Sequence, residues 1–88
     1  MRFDPQKDKK LQEERGIGFE TIIAAIADGK VLSDMPHPTR ENQRVMLVEV
    51  GADLYFVPYV VEKDGEIFLK TAFVNRKYRR PKDGQKIN

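Results

Sequence analysis

The apolar pattern of this chain changes period at Gly29, and that change restricts the possible folds more than any other feature. Before it, Phe19, Ile22, Ile23 and Ile26 fall at i, i+3, i+4 and i+7, one continuous stripe on a helix. After it, the period becomes two, the mark of strands. Asp4-Pro5 is a helix-start signal, because Asp accepts from orphan N–H groups and Pro needs no partner at the first position. Residues 6–15 then read as a mostly solvated helix anchored by Leu11 and ended by Gly16, and Gly29 ends the second helix as a left-handed cap. Residues 31–35, 44–50, 54–62 and 66–74 read as strands. They are separated by the polar loop 36–43, by Gly51-Ala52-Asp53, and by the Asp-Gly turn signal in Lys63-Asp64-Gly65. Pro58 cannot donate to a ladder, so it marks a bulge or an edge. The expected fold is α+β: two N-terminal helices packed on one face of a four-stranded antiparallel sheet, in the order α-α-β-β-β-β. In the last strand Ile67, Leu69, Thr71 and Phe73 are expected to face the core, and Phe68, Lys70, Ala72 and Val74 an open side.

With 88 residues the chain is expected to form one domain, residues 1–80, followed by a disordered tail, 81–88. A chain of this size buries only about 60–65% of its unfolded surface, so a shallow groove is expected rather than a deep cavity. The absence of cysteine removes disulfides, thiolate catalysis and Cys-ligated zinc. No run approaches the roughly 20 apolar residues of a membrane span, and the charged start lacks a signal-peptide core, so the expected compartment is the cytoplasm.

Charge is unevenly placed. Six of the 16 basic residues but one of the 14 acidic ones lie beyond Asn75, which makes that end +5 and leaves −3 for the rest. Such asymmetry points to a polyanion partner, or else to a solvated basic tail.

Arg2-Phe3-Asp4-Pro5 before a charged helix, Gly16-Ile17-Gly18-Phe19-Glu20, Gly29-Lys30-Val31-Leu32 and the His37-Pro38 loop together resemble BrnT-type toxins. The likeness continues through Asn42-Gln43-Arg44, Tyr55-Phe56-Val57-Pro58-Tyr59 and the stretch from Glu66 to Phe73, and closes on Arg76-Lys77. It covers residues 2–78 and rests on order and spacing rather than on any one segment. The resemblance implies a RelE-like, metal-independent endoribonuclease of a type II toxin–antitoxin system that needs no cofactor. It implies a cognate antitoxin, commonly a ribbon-helix-helix protein, as partner, with DNA engaged only through that antitoxin. The chain departs from the family pattern at Gly18, where relatives carry a Ser cap. It also has Val74-Asn75 in place of Pro-Ser, and Pro81 and Gly84 interrupt a basic C-terminal helix.

Metal-free RNA cleavage needs a base for the 2′-hydroxyl, positive charge for the phosphorane oxygens and an acid for the 5′-oxygen, each proton step supplying about 10²–10⁴ in rate. Arg76 and Lys77 suit the phosphate grip, with Lys77 also a possible acid, and Arg44 can meet the same phosphate. His37, the sole histidine, suits proton transfer near neutral pH, although a loop histidine is also an ordinary surface residue. Lys70, Arg79 and Arg80 are candidate RNA-backbone contacts, and Tyr59 is the first candidate for base stacking, ahead of Tyr55 and Phe68, although aromatics in a thin sheet are more often core residues. No metal-ligand spacing, phosphate loop or nucleophile elbow is present. Two functions are therefore expected as alternatives: an mRNA-cleaving toxin, or a degenerate toxin that binds antitoxin or RNA without cutting.

Overall fold

The computed structural model describes residues 1–75. Helix α1 spans Pro5–Arg15 and α2 spans Phe19–Ala27. Asp4 caps α1 by accepting from the Gln6 N–H at 2.9 Å, with Pro5 at the first position as its missing N–H permits. Gly16, at φ +76°, closes the helix through its N–H to the Gln12 carbonyl. Past α2, Gly29 at φ +80° donates to Ile26 and Lys30 donates to Ala25, both at 3.0 Å, the paired bonds of a Schellman motif.

The second helix is capped from outside itself. Gly18 offers no side chain, and Asp8 on α1 reaches across to accept from the Phe19 N–H at 2.7 Å. A Cβ on Gly18 would lie 2.7 Å from that same carboxylate oxygen, so glycine and aspartate are one device. Asp8→Ala is expected to cost about 1 kcal/mol, the worth of a helix cap. Gly18→Ser should gain little alone, because it displaces Asp8, yet restore most of the loss in the Asp8→Ala background. A double-mutant cycle in urea measures that coupling, and strictly additive effects would contradict it.

The sheet corrects the expected architecture. Among the described residues it has six strands, not four, and it is mixed: β1 (Arg2–Phe3), β2 (Val31–Pro36), β3 (Arg44–Val50), β4 (Asp53–Val61), β5 (Ile67–Leu69) and β6 (Phe73–Val74). The order is β1-β5-β4-β3-β2, with β6 also on β4. Strand β1 precedes the helices and runs parallel to β5, pairing Arg2 with Phe68 and Phe3 with Leu69. Its two residues are too few to show a period. Tertiary contacts hold it: Phe3 stacks on Phe19 at 5.2 Å, and Arg2 pairs with Glu62 and Asp64. Gly51, at φ +61° in the first loop position between β3 and β4, matches a tight type II′ hairpin.

The expected last strand is two strands. Strand β5 pairs Tyr59 with Leu69, whereas β6 pairs Tyr55 with Val74 and Phe56 with Phe73, a slip of one residue across 70–72. The Lys70 N–H bonds to the Pro58 carbonyl at 2.8 Å. The edge of Pro58 that lacks an N–H therefore faces the interruption, which is why proline is tolerated there. Because side chains alternate, one extra residue exchanges the faces. Ile67 and Leu69 point to the core as expected, but Ala72 and Val74 replace Thr71 and Phe73 on it, and Phe73 is 49% exposed.

Leu11, Phe19 and Ile22 from the helices pack with Met46, Val48, Tyr55, Val57, Tyr59 and Leu69, which lie on one face of the sheet. Ser33, at an irregular point of β2, buries its hydroxyl oxygen without a partner among the described residues. Ser33→Ala is accordingly expected to be neutral or to stabilise by up to about 1 kcal/mol in urea unfolding. Among the described residues no helix is long and apolar enough to cross a membrane.

Candidate functional site

Where the β5–β6 interruption meets the β2–β3 loop, beside the first turn of α1, lies a cleft of about 380 Å³. Lys7 from α1, His37 and Arg40 from the loop, and Lys70 from the end of β5 line it, beside Gln43 and Thr71. Among the described residues no carboxylate lines it. Residues 1–75 hold 10 basic and 13 acidic residues, so a wall carrying three of the former and none of the latter departs sharply from its surroundings. Among the described residues no carboxylate lies within ion-pair distance of Lys7, Arg40 or Lys70, whereas Arg2 and Arg44 are both ion-paired. Lys70 lies 5.3 Å from the centre of the Phe68 ring, a cation–π contact.

His37 is held rigidly. Its Nδ1 accepts from the backbone N–H groups of Thr39 and Arg40, both at 3.1 Å. In the neutral ring the proton therefore sits on Nε2, an assignment made from these bonds. His37 thus offers the cleft a donor, while the lone pair that a general base would use is occupied by the loop. Together these groups can surround a phosphodiester with cationic and neutral donors and can supply a proton to a leaving oxygen.

Arg44 and Tyr59 lie elsewhere. Strand alternation puts both on the helix side, where Arg44 is paired with Tyr59 across the ladder. Arg44 Nε donates to Asp34 Oδ1 at 3.1 Å, and the Tyr59 hydroxyl donates to Asp34 Oδ2 at 2.7 Å. Tyr59 is 5% exposed and belongs to the core, so it presents no ring for a base to stack on; Tyr55 is likewise buried. Arg76, Lys77, Arg79 and Arg80 lie outside the described residues. The described chain leaves β6 with the Asn75 N–H bonded to the Leu54 carbonyl, beside the β3–β4 turn and at the other end of β6 from Thr71.

The buried tyrosine makes stability pH-dependent. Burial, and then the Asp34 hydrogen bond, raise the Tyr59 phenol above its ordinary value of 10.0. A raised acid keeps its proton in the folded state after the unfolded chain has released it, so the stabilisation is complete below about pH 10 and is lost as pH rises through the folded value. Tyr55 shifts in the same direction. Urea midpoints should therefore fall above pH 10, and less steeply in Tyr59→Phe, which should itself cost about 1 kcal/mol at pH 7 through the lost hydrogen bond. A profile equally steep in the variant would contradict this.

Among the described residues no three His, Cys, Asp or Glu side chains converge to hold a metal ion. Set against known proteins, the chain matches no family model, no curated protein and no solved structure.

Of the residues that sequence chemistry singled out, the cleft brings together His37 and Lys70. Lys7, Arg40, Gln43 and Thr71 were missed. Lys7 sits in a helix with no apolar stripe to orient it, and Arg40 in a loop whose path only the folded chain defines. The one available signal was Pro58, whose bulge brings Lys70 and Thr71 to the loop.

Proposed function

We propose that this protein binds single-stranded RNA in the cationic cleft and cleaves it without metal, as the BrnT-type toxin of a type II toxin–antitoxin system. Attack of a 2′-hydroxyl on the adjacent phosphorus, its proton passing to solvent water, forms the 2′-O–P bond, breaks the bond to the 5′-oxygen and leaves a 2′,3′-cyclic phosphate. Lys7, Arg40 and Lys70 offset the phosphorane charge, Lys70 supplies the leaving-group proton, and the neutral His37 Nε2–H donates a hydrogen bond to a phosphorane oxygen. Arg76 and Lys77 are further phosphate contacts, with Arg79 and Arg80 on the RNA backbone. The protein acts in the cytoplasm and is restrained by a cognate antitoxin of the ribbon-helix-helix type. The single observation that carries this reading is the cluster of Lys7, His37, Arg40 and Lys70 around one cleft that has no carboxylate among its described lining residues. The order of sequence motifs supports the toxin class.

One observation favours a second reading, a degenerate toxin that binds without cutting: the His37 Nδ1 lone pair is engaged by two backbone donors, and no carboxylate among the described residues of the cleft replaces it as a base. Incubation of the full chain with single-stranded RNA in EDTA separates the two. The nuclease reading expects cyclic-phosphate ends, lost by about 10²-fold or more in His37→Ala and Lys70→Ala and weakened in Arg76→Ala and Lys77→Ala. Salt-sensitive binding with no product supports the second reading. Cleavage abolished by EDTA, or unchanged in all four variants, contradicts the first.

A further inference from the structure

The cationic cleft opens onto a second concavity of different character. Phe56, Phe73, Pro58, Val45 and Met35 line a groove of about 310 Å³, and it shares His37, Pro58 and Phe73 with the cleft. Phe73 is 49% exposed and Met35 47%, a high exposure for large apolar side chains. The groove follows from the slip between β5 and β6, which turns Phe73 outward, where its ring sits 5.8 Å from that of Phe56 at a tilt of 56°. An apolar wall with an open aromatic face, continuous with a cluster of cations, matches one nucleotide: a flat base beside its own phosphate.

We infer that the groove is a base subsite, in which one unpaired RNA base stacks on Phe73 while its phosphate occupies the cleft at Lys7, Arg40 and Lys70. This rests on the reading of the cleft as an RNA site and adds to it the recognition of single strands, since a paired base is not free to enter. Continuity decides the occupant: an apolar peptide would fill the groove and leave the adjoining cations unused, whereas a nucleotide fills both. His37 lies on the shared wall, between base and phosphate.

The test uses the full chain, a fluorescein-labelled single-stranded RNA ten-mer, and long-chain inorganic polyphosphate as a competitor that carries charge but no bases. Phe73→Ala is expected to weaken RNA binding by about 5- to 100-fold, the range for one stacked base, and to weaken polyphosphate binding at least about fivefold less than that. Phe73→Tyr should keep RNA affinity near wild type, and Phe73→Leu, apolar but without a ring face, should behave like alanine. Lys70→Ala should weaken both ligands. Matching circular dichroism and melting temperatures establish that the variants are folded. If Phe73→Ala binds RNA as wild type does while Lys70→Ala does not, the base subsite is wrong and the phosphate cleft stands. Equal losses on RNA and polyphosphate, or full RNA affinity in Phe73→Leu, also overturn the subsite, the latter pointing to an apolar protein partner instead. Binding of neither ligand by the wild type removes both readings.

Discussion

Phe19→Ala is expected to lower the free energy of unfolding by about 3–5 kcal/mol, the cost of removing a buried phenylalanine. Phe19 is 1% exposed, opens α2 and stacks on Phe3. Its loss leaves a cavity under the helix and removes the ring against which β1 is held. At about 0.05–0.15 kcal/mol per residue, a chain of 88 residues has roughly 4–13 kcal/mol in total, so the variant sits near the edge of folding. Phe73→Ala, at an exposed position, should cost less than about 1 kcal/mol. Urea unfolding of both variants checks the contrast. A loss below about 1 kcal/mol for Phe19→Ala would mean that α2 is not seated on the sheet as described.

The Arg40→Ala, Lys70→Ala double variant is expected to bind single-stranded RNA about 10- to 100-fold more weakly near 100 mM salt, while its melting temperature stays close to wild type. Each phosphate contact removed should reduce the slope of log K against log salt by about 0.7 for a single strand, so the pair should reduce it by about 1.4. Arg44→Ala should change the slope little, because Arg44 is already paired with Asp34 and does not line the cleft. Anisotropy titrations at several salt concentrations give all three slopes. An unchanged slope in the double variant, with a large change for Arg44→Ala, would move the site to the helix side.

Local chemistry made much of the fold legible. Asp4-Pro5, Gly16 and Gly29 mark where the helices start and stop, and the Phe19–Ile26 stripe supplies Phe19 and Ile22 to the core. The turn at Gly65 uses the positive φ that its Asp-Gly signal suggested. What failed was non-local. Strand β1 has no pattern of its own and exists because Phe3 meets Phe19 and Leu69. The break between β5 and β6 was signalled only by Pro58, and a one-residue slip was enough to move Phe73 from the expected core to the surface. The site was legible in the same measure. His37 and Lys70 were identifiable from their chemistry, but whether Arg44 and Tyr59 share a face with them depends on register. Lys7 and Arg40 join them only through the packing of helix and loop.

The most direct test of the cleft is an amide chemical-shift titration of the full ¹⁵N-labelled chain with a short single-stranded RNA. The largest shifts are expected at Arg40, Lys70, Thr71 and Phe73. Shifts centred on Asp34, Arg44 and Tyr59, shifts confined to residues 76–88, or no shifts at all would contradict it.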